Sequence, residues 1–266
     1  MSQPLVPPSG KKFQIRDYQP GYTGDLTREV AEAEIVSLRI RLNDLQNRLF
    51  ADRRYALLVI LQAIDTGGKD GTINSVFQEV GPLGCSVVSF GVPTEPERAH
   101  DYLWRYHRET PERGKVVIFN RSHYESVLVE RVKNLVPKDV WRTRYEQINT
   151  FEQYLSGQDT VIMKFFLHIS KDEQRQRLQE RVDDPKKQWK FRHGDLDDRK
   201  LWDDYQSAFE DMVDRCNSDV APWHVVPANK NWYRNVVVAR ALVERLEKLD
   251  LRYPEPEEGI AGLRVV

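Results

Sequence analysis

The stretch LLVILQAIDTGGKDGT, residues Leu57 to Thr72, decides how this chain is read. An apolar run breaks into a glycine-rich turn carrying Lys69. A buried strand feeding such a turn and then a helix gathers backbone N–H groups, a helix N-terminus and an ammonium around one anion-sized hollow. Gly67, Gly68 and Gly71 let the backbone approach an anion closely, and Lys69 supplies a point charge for phosphoryl oxygens. The strict pattern G-x-x-x-x-G-K-[ST] is not met, because Ala63 stands at its first glycine and Asp70 where the hydroxyl residue belongs. Asp65 is the odd member. A carboxylate inside a phosphate cradle repels the ligand unless it binds a metal, orients a lysine or arginine, or contacts metal-bound water. The plainer alternative is a turn aspartate that caps its own backbone.

Outward from the turn, continuous apolar runs at Tyr55–Leu61, Cys85–Phe90, Val116–Phe119, Val161–Ile169 and Trp223–Val226 predict five strands buried on both faces. Helix signals lie between them. Thr94 with Glu97, and Ser170 with Glu173, have capping-box spacing, and Pro137 precedes a periodic stretch from Lys138 to Leu155. Strands alternating with helical crossovers predict an α/β fold, a three-layer α/β/α sandwich with a parallel sheet of about five strands. Ligands then gather beyond the carboxyl ends of the strands, where the 65–71 turn sits. Ile35, Leu38, Leu42, Leu45 and Leu49 form a narrow stripe on a helix over 26–50, which packs either on a second subunit or on its own sheet. The segment 171–204 is dense in both signs of charge and broken near Pro185 and Gly194, predicting two helices with an irregular connection. It is either a solvated face or a cationic wall of Arg177, Arg181, Lys187, Lys190 and Arg192, tied down by Trp189 and Phe191.

Composition excludes several classes. Forty basic and forty-one acidic side chains among 266 residues nearly cancel, so polyanion affinity must come from a local cluster, and nucleic-acid coating is disfavoured. No apolar run approaches the roughly 20 residues of a bilayer span, and the N-terminal 25 residues show no apolar signal-peptide core, so the expected setting is cytoplasmic, without a membrane. Residues 1–25 read as a surface arm, and 26–266 as one domain carrying a lid at 171–204. Cys85 and Cys216 have neither disulfide-scaffold nor zinc spacing, and the six histidines show no zinc motif.

A second motif, KVVIFNRSHYESVLVE over Lys115–Glu130, delivers Asn120 and Arg121 to the edge that holds the glycine turn, provided the two strands are neighbours. Asn120 is either a weak neutral ligand for magnesium or a cap for the segment that follows. Arg121 offers a planar bidentate grip on phosphate, and Glu125 restores an acid.

Together, Asp65-Thr66-Gly67-Gly68-Lys69-Asp70-Gly71, Phe119-Asn120-Arg121-Ser122-His123-Tyr124 and Asp184-Pro185 with Lys187-Gln188-Trp189-Lys190-Phe191 resemble the family 2 polyphosphate kinases. The resemblance implies a P-loop kinase-like fold with a helical lid. It also implies reversible, Mg²⁺-dependent transfer of a terminal phosphoryl group from inorganic polyphosphate to AMP or ADP, with Mn²⁺ as a substitute and guanine nucleotides as further acceptors. The implied catalytic set is Asp65, Lys69, Asn120, Arg121, Glu125 and the lid arginine Arg181, with Asp65, Glu125 and Asn120 toward metal. Polyphosphate would meet Thr66 to Thr72, Arg177, Arg181, Lys187 and Lys190. The nucleotide would meet Val92, Pro93, Thr94, Glu97, Arg121, Tyr124, Glu125 and Arg131. Asn120 departs from the aspartate commonest in the family, and with Glu125 it resembles the subgroup accepting both mono- and diphosphates. A dimer or tetramer is implied. An ATP-dependent nucleotide or small-molecule kinase on the same fold, and a phosphate-binding protein without turnover, are the alternatives.

Overall fold

In the computed structural model, which describes residues 5–8, 11–260 and 262–265, the elements alternate as the periodicity predicts. In chain order they are α1 (Arg28–Asp52), β1 (Ala56–Gln62), α2 (Lys69–Val76), β2 (Cys85–Ser89), α3 (Glu95–Arg98), α4 (Trp104–His107), β3 (Val116–Asn120), α5 (Val129–Val132) and α6 (Lys138–Ser156). After them come β4 (Thr160–His168), α7 (Lys171–Asp183), α8 (His193–Lys200), α9 (Trp202–Arg215), β5 (Trp223–Pro227) and α10 (Asn231–Glu247). The five strands form one parallel sheet in the order β2-β3-β1-β4-β5.

That order places β1 at the centre, every residue of it buried. The chain leaves β1 toward β2 and β3 on one side and returns to β4 and β5 on the other, so the strand order reverses at β1's carboxyl end. Ligands of open parallel sheets bind at such a reversal. One of the five strands departs from expectation. β2 is an edge strand whose residues are half-buried or exposed, because only β3 pairs with it. At the opposite edge the N-terminal segment closes the sheet: the Val225 N–H of β5 donates to the Leu5 carbonyl at 2.7 Å. The Phe13 and Ile15 N–H groups donate to Asp214 and Glu210 on α9. Residues 1–4 and 9–10 of the expected arm lie outside the described residues.

The apolar stripe of α1 is buried within the chain. Ile35, Leu38, Leu42, Leu45 and Leu49 pack along α10, and Arg41–Glu247 and Arg240–Glu34 ion pairs flank the seam. The helical partner is α10 of the same chain, and the stripe joins the core cluster that also holds the sheet residues. Thr27 caps the start of α1, and Arg53 in a left-handed conformation ends it. The Thr94–Glu97 capping box forms in full, although the helix it opens is a single turn. Segment 171–204 holds α7, a short connection, and α8. Trp189 is 76% exposed there, so it does not tie the segment down as expected. No helix among the described residues is long and apolar enough to cross a membrane.

Leu42 is almost fully buried in the α1–α10 seam. Leu42→Ala is expected to cost about 2–5 kcal/mol of unfolding free energy, from lost transfer and a residual cavity, measured as a lower urea midpoint at unchanged slope.

Candidate active site

Register builds the site. Leu61 of β1 lies beside Asn120 of β3, and the Arg121 N–H donates to the Leu61 carbonyl at 3.2 Å. The two strands therefore end side by side, and the residues just past each end meet. Arg121 Nη2 lies 2.7 Å from Asp65 Oδ1. Asn120 Nδ2 donates to Asp70 Oδ1 at 2.8 Å, so Asn120 braces the start of α2. Both crossings are strained in backbone: Thr66 and Arg121 are non-glycine residues at φ 65° and 64°. Side chains there cost of order 1–3 kcal/mol each and concentrate at functional sites.

The glycine turn is tightly wound. A side chain on Gly67 would meet the Ala63 methyl at 2.4 Å, and Gly68 turns the chain at φ 99° into α2. Lys69 begins that helix, is only 8% exposed, and donates from Nζ to the Ala63 carbonyl at 2.9 Å. Burial and the neighbouring Arg121 charge pull the Lys69 ammonium down to about 8, against the attraction of Asp65 and Glu125. Burial pushes the Asp65 carboxyl up, but Lys69 and Arg121 outweigh it and hold Asp65 below its ordinary value. For Glu125 the balance reverses: burial raises its carboxyl despite Arg121 and Lys69. One carboxylate is thus held ionised and the other is poised to take up a proton or a cation.

Beside this cluster lies a cavity of 210 Å³ at the carboxyl edge of the sheet. Asp65, Arg121 and Glu125 line it, as do Val92 and Pro93. Arg105, Lys133 and Tyr205 also line it, and the sequence reading missed all three. Arg105 stacks over Phe90 and Tyr106 and donates to the Gly91 carbonyl. Lys133 pairs with Asp198 of α8 at 2.7 Å, and Tyr205 donates to the same carboxylate at 3.2 Å, so the 171–204 segment is latched over the cavity.

Other expected residues stand elsewhere. Thr94 and Glu97 are occupied with each other as a helix cap, with Glu97 also near Arg105. Arg131 is engaged by Asp211, the Tyr145 hydroxyl and the Trp141 ring, and it lines a different hollow. Tyr124 is fully buried, with its hydroxyl donating to Glu152 and accepting from Lys164, both at 2.7 Å. Lys164 donates its other two protons to Glu152 and to the Cys216 carbonyl, and His123 contacts Glu152 at 3.2 Å. This network is spent on holding the segment after β3, which leaves Tyr124 no free group for a nucleotide.

The lid cations divide in the same way. Arg177 is bound to Glu173 and to the carbonyls of Thr66, Ala228 and Asn229, so it splints the glycine turn from outside. Lys187 pairs with Asp184, and Lys190 lies over the exposed Trp189 ring. Arg181, 3.5 Å from Asp195, is the lid cation whose charge reaches Asp65. The expected wall is therefore several separate contacts.

The family model for Polyphosphate kinase 2 (PPK2) matches residues 25–254. An AMP/ADP-polyphosphate phosphotransferase of Meiothermus ruber is 54% identical over 259 residues, 97% of each chain. An ADP-polyphosphate phosphotransferase of Rhodopseudomonas palustris is 44% identical over 81% of this chain and 78% of its own length. The crystal structure of polyphosphate kinase 2 from Arthrobacter aurescens superimposes with a TM-score of 0.93 at 40% identity, covering 97% of this chain and 92% of that one.

Tyr124→Phe separates the buried role from a ligand-binding one. It is expected to lower unfolding free energy by about 1–3 kcal/mol in urea titration, the cost of leaving a buried charged group short of a partner, while ligand affinity stays at the wild-type value.

Proposed function

Since this chain belongs to the polyphosphate kinase 2 family of phosphotransferases, we propose that it moves the terminal phosphoryl group of inorganic polyphosphate to AMP and to ADP, reversibly. One observation carries the assignment of parts: Asp65, Lys69, Arg121 and Glu125 converge where β1 and β3 end, with the glycine turn on one side and a lined cavity on the other. The turn from Thr66 to Thr72 takes the donor, which carries no nucleoside for the protein to recognise. The cavity takes the acceptor, with Val92 and Pro93 on its wall and the cations Arg105, Arg121 and Lys133 for its phosphates. At 210 Å³ the cavity is below the roughly 300–1,000 Å³ of small-molecule sites, so acceptor entry goes with parting of the Lys133–Asp198 latch. Acceptance of both AMP and ADP is supported by the dual specificity in the name of the Meiothermus ruber relative.

The chemistry needs little from a base. An acceptor phosphate oxygen is already ionised near neutral pH, and it attacks the terminal phosphorus as the bridging P–O bond breaks, leaving polyphosphate one unit shorter. Both reactants are anions and the transferred group is loosely held, so positioning and charge neutralisation dominate. Lys69 and Arg121 supply fixed positive charge beside the reacting group, and Arg181 supplies it from the lid. Phosphoryl transfer of this kind implies a divalent metal. The donor set fits Mg²⁺, with Mn²⁺ as a substitute, because Asp65 and Glu125 line one cavity and offer hard carboxylate oxygens. Asp65 and Glu125 would hold the ion beside the substrate phosphates. Asn120 is committed to Asp70 through its amide nitrogen and keeps only a neutral oxygen for the ion. When bound, the ion draws off charge as it develops on the phosphoryl oxygens.

Incubation with ADP, Mg²⁺ and long-chain polyphosphate is expected to yield ATP, and AMP to yield ADP; activity confined to ATP as donor, or binding without transfer, refutes the proposal. Lys69→Ala is expected to lose at least about 3 kcal/mol of transition-state stabilisation in kcat/KM. Because Lys69 sits at about 8, its charge is present below that pH and lost above it. The KM for polyphosphate is therefore expected to climb as pH rises through about 8, and Lys69→Arg to flatten that rise.

A further inference from the structure

Arg234, on the first turn of α10, is 2% exposed, and no carboxylate lies within salt-bridge distance of it among the described residues. Its guanidinium donates only to amide oxygens: Asn231 Oδ1 at 2.8 Å, and Asn235 Oδ1 at 3.1 Å from Nε and 2.9 Å from Nη2. It is seated against the glycine turn. A side chain on Gly68 would lie 1.9 Å from Arg234 Nη1, and one on Gly71 would lie 3.1 Å from Nη2. Arg177, whose own carboxylate partner is Glu173, approaches the same Gly68 position to 3.5 Å.

A buried cation normally has a counter-charge, and leaving one without costs several kcal/mol. Here the surroundings make the cost larger. Gly68 and Gly71 belong to the start of α2, whose free N–H groups and helix dipole are themselves positive. Burial and the Arg177 charge weaken the hold of Arg234 on its own proton, to about 9. Among the described residues the nearest carboxylates are committed elsewhere, Glu173 to Arg177 and Asp70 to Asn120, and neither pairs with Arg234. An anion in the cradle on the other side of the turn therefore stabilises this accumulation.

We propose that Arg234 is a positioning residue for the polyphosphate donor: a permanent buried charge, held behind Gly68 and Gly71, that raises the cradle's affinity for polyanions without touching them. This rests on the reading of the turn as the donor cradle. Gly68 and Gly71 then serve a second purpose, since their missing side chains give the guanidinium its place. Sequence alone does not reveal it, because Arg234 lies 166 positions beyond Gly68 and in none of the phosphate motifs.

The test is Arg234→Met, with inorganic tripolyphosphate as probe. Wild-type protein is expected to melt at a higher temperature with tripolyphosphate than without. The Met variant alone is expected to melt at or above the wild-type temperature, because an unpaired buried charge has gone, and to lose the tripolyphosphate shift. Its KM for polyphosphate is expected to rise about tenfold while its KM for ADP stays put. Arg234→Lys is expected to restore most of the loss. A Met variant that melts below wild type yet keeps both the tripolyphosphate shift and the polyphosphate KM overturns the inference and leaves a packing role. Should Arg234→Met fail to fold, Arg234→Gln is read against the same two outcomes. Absence of any shift in wild-type protein, together with no polyphosphate-dependent turnover, removes the donor reading itself.

Discussion

Everything at the carboxyl edge of the sheet depends on the contact between Asp65 and Arg121, two residues just past the ends of adjacent strands. Their separation of 2.7 Å follows from register: Leu61 and Asn120 are level, so the turn that follows β1 and the residue that follows β3 are brought together. Each also answers a problem of the other. Asp65 stays ionised in a site built for anions because Arg121 and Lys69 surround it, and Arg121 keeps its left-handed backbone because the strand pairing and the carboxylate hold both of its ends. Substituting Arg121 leaves the Asp65 carboxylate facing an anionic ligand, and substituting Asp65 leaves Arg121 without the carboxylate that holds it in place.

The sequence made the fold legible wherever the chemistry was local. The five apolar runs became the five strands within a residue or two, and the glycine turn lay where a strand and a helix bracket it. The exposure of β2 was not legible, because a run of β-branched residues looks the same on an edge as in the middle of a sheet, and only strand order distinguishes them. The stripe on α1 was visible as a stripe. Its partner, α10, is nearly two hundred positions later, which periodicity does not report.

The site was legible in its motifs and less so in its side chains. His123, Tyr124 and Glu125 are consecutive, and the tight 3-10 turn they form sends the first two into the buried Lys164–Glu152 network and the third toward the cavity. No spacing rule separates those neighbours. Conversely, Arg105 and Lys133 flank the Lys115–Glu130 motif without belonging to it, Arg234 stands far along the chain from every phosphate motif, and all three reach the site through packing. On the charge-rich 171–204 segment, most cations are engaged by a carboxylate, a carbonyl or an exposed ring, which spacing in the sequence does not report.

The N-terminal segment lends the sheet a polarity of another kind. By donating the Leu5 carbonyl to Val225 it occupies a hydrogen-bonding position on the β5 edge, while the β2 edge, with its half-exposed valines and serines, has no comparable cover among the described residues. An open strand edge is a template for pairing with another chain, and a covered one is not. The two sheet edges therefore differ, and β2 is the more open template for strand pairing. Sequence changes along Cys85–Ser89 bear on solubility in a way that equivalent changes along Trp223–Pro227 do not.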